Sequence, residues 1–413
     1  MSRGPLTNES TIPMDGTSPR DRDSRLTRAG RLRRARGWAA FAVLGALARI
    51  GSAWASPYIP ASDTQVLAEL PAGARHSSDP SRELAATRLD VALPLAQFDI
   101  SRARTTGDLR FLGYAEAILA PWMHRTTVAP QVLILNATIL QSRHAFDAAL
   151  AELDQALEAR PDDAQGWLTR ATVLRVLGRY DEAMASCEHL ARTADPAITS
   201  LCRQSLRGLT GHLKDAYAVI ASLSPQDLVP EVRAWRYSEL GEMAERLGND
   251  PAAELWFRDG LHMAPADLYM RLACADLLLR HGRAVETLQL LQGYESMEPM
   301  LLRVAIAHRQ LHDAASTQAE ALLTNAFEVE QRRGDAVHRR EQARFLLDVD
   351  QAPTAALAAA LENWRVQREP DDILILLRAA HAAHQLQAAA DALEFLKRSG
   401  LEDVRLDAYR SAT

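Results

Sequence analysis

Lysine is almost missing from this chain. Lys214 and Lys397 are the only two among 413 residues, so nearly every base is arginine. That fits a GC-rich coding bias at least as well as a functional choice. Aromatic residues are scarce, at 6%. No run alternates apolar and polar side chains, which argues against a sheet protein. The abundant Ala and Leu favour helices instead. No nucleophile elbow, phosphate loop, dinucleotide fingerprint or Cys-x-x-Cys occurs. A catalytic reading therefore has no constellation behind it, and neither an enzyme nor a cofactor is expected.

The formal net charge is -6. The first 55 residues hold ten Arg and four acids, so the rest of the chain carries -12. A mildly acidic body argues against nucleic acid as the main partner, and against general attraction to an anionic membrane surface.

What is present is a repeated pattern in residues 131–196. The first copy reads Leu133-x2-Asn136-Ala137-x2-Leu140, then Ala149-x3-Leu153-x2-Ala156 and Pro161. The second reads Trp167-x2-Arg170-Ala171-x2-Leu174, then Ala183-x3-Cys187-x2-Leu190 and Pro196. Leu133 to Trp167, Ala137 to Ala171 and Ala149 to Ala183 each step 34 residues. Each copy holds two apolar stripes at helical spacing around a breaker. Gly178 can end a helix in the left-handed conformation. The alanines let two backbones approach, Tyr180 fills the space between the pair, and the prolines stop the second helices. The pattern returns over 234–292, with Gly241, Ala244 and Gly248 followed 34 residues later by Ala275, Leu278 and Gly282.

This period and this order of small and large residues resemble the tetratricopeptide repeat, TPR. The resemblance is specific over 131–292 and looser outside. It implies an all-α solenoid, a right-handed superhelix of about seven or eight helical hairpins. The body is expected over 82–411, with a first helix running from Arg82 to about Arg104. Pro121-Trp122 is expected to close the opening hairpin. After Glu298 the period loosens, with helices suggested at 299–311, 314–333, 336–349, 354–368, 373–385 and 388–398.

The resemblance further implies a concave groove, lined by the first helices, that takes a protein or peptide partner. The inward candidates are Gln131, Thr138, Gln165, Thr172, Arg175, Trp235, Glu242, Tyr269 and Asp276. The Lys/Asn/Arg set with which some TPR proteins grip a terminal carboxylate is not there. Ile134, Thr138, Leu168, Thr169 and Thr172 stand in its place.

Ahead of the body, residues 1–37 form a basic, polar region expected to be disordered. An apolar run, Trp38 to Ala48, is interrupted by Arg49 and ends at Ala53-x-Ala55. Over 38–55 this resembles a secretory signal peptide cleaved after Ala55. An uncleaved anchor is the alternative, though the run is short of the about 20 residues a span needs. Residues 56–81 read as a leader and linker. Together these features predict an exported protein of a bacterial periplasm, with no membrane span once the signal is removed.

An oxidising compartment bears on the three cysteines. Cys187 and Cys202 flank one turn and are expected as buried free thiols, a bond between them being the alternative. Cys274 is expected to stay free. A different function class, a metal-binding accessory protein, would use His308 with His312 and His381 with His384. Neither pair has an evident third ligand, and no metal site is assigned.

Overall fold

The computed structural model describes residues 80–333 and 338–410. The expected n-region, signal segment and most of the leader lie outside the described residues. All regular structure among the described residues is helical. A short helix, α1 (Pro80–Ala85), precedes nine antiparallel pairs. These are α2 (Leu89–Thr106) with α3 (Arg110–Met123), and α4 (Pro130–Ser142) with α5 (Phe146–Ala159). Next come α6 (Ala164–Val176) with α7 (Tyr180–Leu190), and α8 (Pro196–Arg207) with α9 (Leu213–Ser222). Then follow α10 (Pro230–Arg246) with α11 (Asp250–Met263), and α12 (Leu268–Arg280) with α13 (Ala284–Leu291). The last three are α14 (Glu298–Gln310) with α15 (Ala315–Arg333), α16 (Arg339–Asp348) with α17 (Pro353–Val366), and α18 (Pro370–Ala382) with α19 (Ala390–Ser399). A final short helix, α20, is Asp407–Arg410. The architecture is the expected TPR-like solenoid, with more hairpins than the seven or eight counted in the sequence.

Two local expectations are corrected. The first helix does not run from Arg82, because the chain breaks between α1 and α2. Arg88 is extended there, and its N–H donates to the Leu84 carbonyl at 2.9 Å. Pro121 does not close the opening hairpin but lies inside α3. In this last turn its missing N–H removes the bond to the carbonyl four residues back, and the helix ends two residues later.

One device recurs at all nine hairpin turns. Each has one residue in the left-handed conformation: Gly107, His144, Gly178, Gly211, Gly248, Gly282, His312, Gln351 and His384. In the strong repeats the N–H after it reaches back five residues. Arg179 donates to the Leu174 carbonyl and Arg283 to Leu278, each at 2.9 Å. This closes the helix end in the Schellman manner. Ala145 donates to Leu140 at 2.9 Å and Gln385 to Ala380 at 2.8 Å, so histidine turns adopt the same geometry as glycine turns.

The alanines at 137, 149, 171, 183, 244 and 253 are buried between paired helices, as expected. Gly241 carries this furthest, since a Cβ there would stand 2.2 Å from the Phe257 ring. Asp163 and Asp267 cap α6 and α12, each accepting from a backbone N–H at 2.9 Å.

Cys187 and Cys202 are joined by a disulfide, with Cα atoms 5.7 Å apart. The expectation of free thiols there is corrected. The two lie at one level on neighbouring helices, α7 and α8, which brings them within bridging range. Cys274 is free and buried.

The larger surprise is that the chain returns on itself. The Arg368 N–H donates to the Val176 carbonyl at 2.8 Å. Arg175 pairs with Glu369 at 3.2 Å across 194 residues of sequence. The Leu213 N–H donates to Glu402 at 2.8 Å across 189 residues. Tyr180 does not only fill its own hairpin; its ring lies 5.8 Å from that of Phe395. A Cβ on Gly178 would stand 2.8 Å from that same ring, and one on Gly107 would meet Met297 at 3.0 Å. The later hairpins therefore rest on the turn edge of the earlier ones. No helix among the described residues is long and apolar enough to cross a membrane.

Candidate functional site

This return encloses a cavity of about 810 Å³. Its walls come from the first helices of consecutive hairpins: α6, α8, α10, α12, α14, α16 and α18. Residue spacing explains the order. Glu242, Asp276, Gln310, Arg344 and Arg378 follow one another at 34-residue steps, and all line the cavity. Tyr269 and Arg303 form a second such ladder, continued at Asp371 and Arg405. The period thus persists through the region where the apolar motif fades.

The lining is dense in charge, and most of it is internally paired. Arg303 and Arg344 both hold Asp276, at 2.7 and 2.5 Å. Burial opposes the charge on Asp276, yet these two guanidiniums keep its carboxyl far below the usual range. Arg175 bridges Glu239 at 3.3 Å and Glu369 at 3.2 Å. Arg378 meets Asp348 at 2.5 Å, and Arg405 meets Asp371 at 3.0 Å and Glu245 at 3.3 Å.

Glu242 differs from these. Burial first, and then the neighbouring Glu239 charge, push its carboxyl up to about 8 despite Arg175 and the Tyr269 hydroxyl. Tyr269, in the same lining, is 50% exposed.

The nine groove candidates divide. Arg175, Glu242, Tyr269 and Asp276 line the cavity together. Thr172 and Trp235 line a smaller recess of about 90 Å³ that shares Arg175 and Glu239 with it. Trp235 is half-buried and donates its indole N–H to Glu239 at 3.0 Å. Gln131, Thr138 and Gln165 line neither. Thr138 is buried, and its hydroxyl donates to the Ile134 carbonyl at 2.9 Å. Gln165 donates to the Thr169 hydroxyl at 3.0 Å.

Sequence reading missed Arg246, Arg303, Arg340, Arg344 and Arg378. Stepping 34 residues on from Asp276 would have found Arg344 and Arg378. The groove is also less open than the resemblance implies, because α18 and the segment after α19 close one side.

The histidine pairs have other occupations. His312 and His384 are turn residues, and His308 pairs with Asp313 at 2.9 Å. Among the described residues, the grouping able to offer three metal ligands is Glu298, Glu330 and His338. His338 lies 2.6 Å from Glu330 and 3.1 Å from Glu298. Burial resists its charge, but the two carboxylates raise it to about 10. Both contacts fall on the one Nδ1, and the Glu298 Oε1 has no hydrogen-bond partner.

No family model and no curated protein matches the chain. Among solved structures, PilF of Pseudomonas aeruginosa is 18% identical, covering 60% of this chain and 94% of that one, with a TM-score of 0.30. The Cut9–Hcn1 hetero-tetramer of APC/C is 13% identical over 79% of this chain and 63% of that one, with a TM-score of 0.48. A human IFIT1 dimer with PPP-AAAA is 11% identical over 78% and 94%, with a TM-score of 0.39. Scores this low carry no functional argument. The fold rests on the chain's own geometry, in which nine helical pairs with a recurrent left-handed turn make an all-α, TPR-like solenoid.

Proposed function

We propose that this chain is an exported, non-catalytic scaffold that holds a protein or peptide partner against the inner face of its solenoid. The observation that carries the reading is the convergence of seven first helices on one polar surface that includes the half-exposed Tyr269. Aromatic and arginine side chains at such a surface are the residue types that most often anchor partners. The test is the Trp235→Ala, Tyr269→Ala double variant, captured with partners from the native host. It should stay helical and lose the partner that wild type retains. Unchanged capture by a folded variant removes these two residues from the recognition surface.

Export to the periplasm of a bacterium is the second half of the proposal. The Cys187–Cys202 bond supports it, since such bonds persist in oxidising compartments. The protein purified from its own host should begin at Ser56 by intact mass. Denatured without reductant, it should show a single free thiol, that of Cys274. A full-length protein with three free thiols would sink export.

A further inference from the structure

Nine arginines and eight carboxylates line the cavity. Eight of the arginines have a carboxylate within 4.0 Å. Arg246 is the exception. It is 4% exposed, one Nη donates to the Gly208 carbonyl at 2.7 Å, and its Nε has no partner. Gly208 lies at the end of α8, where the helix dipole offers only partial negative charge. Glu242 and Asp403 act on it only from beyond contact, so the buried guanidinium has no carboxylate to bond.

Two further donors of the same wall are idle. The Tyr180 hydroxyl and the Ser205 hydroxyl are buried without a hydrogen-bond partner. Buried polar groups are normally satisfied, so three idle donors lining one cavity are unusual. Their shared complement is an anion. One turn before Arg246 on α10 stands Glu242, facing the same space. Its surroundings are Glu239, Arg175, Tyr269 and Arg246 itself. The near balance of charge around the cavity selects against a ligand with large net charge.

We propose that the cavity binds a small zwitterion, a free amino acid or a short peptide with both ends charged. Its carboxylate sits on Arg246 and the Tyr180 and Ser205 hydroxyls, and its ammonium on Glu242. A cavity of about 810 Å³ is within the range of small-molecule sites and leaves room for more than one residue. This goes beyond the scaffold reading, and its failure would leave capture of a protein partner untouched.

The test is calorimetric titration of the full, oxidised chain with four probes: L-alanine, L-alanyl-L-alanine, acetate and ethylamine. At least one zwitterion should bind, and about tenfold or more tighter than acetate or ethylamine. The tighter of the two zwitterions identifies a free amino acid or a peptide as the ligand. Tyr180→Phe and Ser205→Ala should each weaken binding about tenfold, the loss of one hydrogen bond to a charge. Neither should lower the melting temperature, because the removed hydroxyls hold nothing in the free protein. Glu242→Gln should abolish the preference for a zwitterion over acetate. No binding of either zwitterion at millimolar concentration overturns the proposal. So does binding that the Tyr180→Phe, Ser205→Ala double variant leaves unchanged.

Discussion

The repeats at 131–196 and 234–292 and the hairpins after Glu298 have the same fold but not the same constraints. The former show the motif plainly; the latter show it faintly. In the first group, the motif residues answer to their immediate neighbours, as Ala171 does to Ala183 and Gly241 to Phe257. In the second group, a helix packs against its neighbours and also against a distant part of the chain, as Arg368, Glu369 and Phe395 do against Val176, Arg175 and Gly178. Motif strength here does not track the number of surfaces, because Arg175, Val176 and Tyr180 of a strong repeat carry the other half of the same contacts. The 34-residue period and the helical pairs persist where the apolar motif fades.

Large truncations give the harshest test. Phe257→Ala and Phe395→Ala each empty a buried aromatic site and should cost about 3–5 kcal/mol. Only Phe395→Ala should also expose the Val176–Gly178 backbone to hydrogen exchange below the unfolding transition. Equal protection there in both variants would mean that the return contact is incidental.

Replacing Cys187 and Cys202 by serine removes a bond across 15 residues of sequence. Denaturant melting should report a loss of about 2–4 kcal/mol, confined to the earlier region.

Two glycine turns separate strain from contact. Gly178 and Gly282 share the left-handed conformation, at φ 72° and 69°. Only Gly178 has a later side chain against it; around Gly282 there is open space. Gly282→Ala should cost about 1 kcal/mol from backbone strain alone. Gly178→Ala should cost about 1 kcal/mol more, through Phe395. Equal costs by chemical denaturation would break the distinction.

The regions also answer pH oppositely. Burial, with Arg340 and His338 nearby, lowers His144 to about 4, so it stays neutral in the fold. Its contribution is full above about 6.5, the ordinary value, and is lost as pH falls through about 4. His338 is raised to about 10; its contribution is full below about 6.5 and is lost as pH rises through about 10. In melting temperature against pH, His144→Gln should flatten the acid limb and His338→Gln the alkaline one. The reverse assignment would sink both readings.

The smallest effects should come from the histidine turns. His312→Gly and His384→Gly relieve left-handed strain at exposed positions, and each should gain about 0.5–1 kcal/mol. A loss would mean that these side chains hold something in place.

Legibility in the sequence followed the same division. The 34-residue step gave the helices of the strong repeats. The step even numbered four of the cavity residues, because a first helix turns the same face inward in every repeat. What it could not give was the return. Nothing in Arg175 names Glu369, and Phe395 is one more apolar residue on one more helix. Arg246 was passed over because its lack of a partner exists only once every other arginine has found one.

The turn edge formed by Gly107, Gly178 and Gly211 has a consequence in time. Synthesis runs at about 5–20 residues per second. A partner some 190 residues downstream therefore arrives roughly 10–40 s after the edge itself has been made. Hairpins built on local contacts form far sooner than that. For that interval Arg175 and the Leu213 N–H lack the carboxylates that the later hairpins bring. The closed cavity is a property the molecule acquires only when its last helices are out.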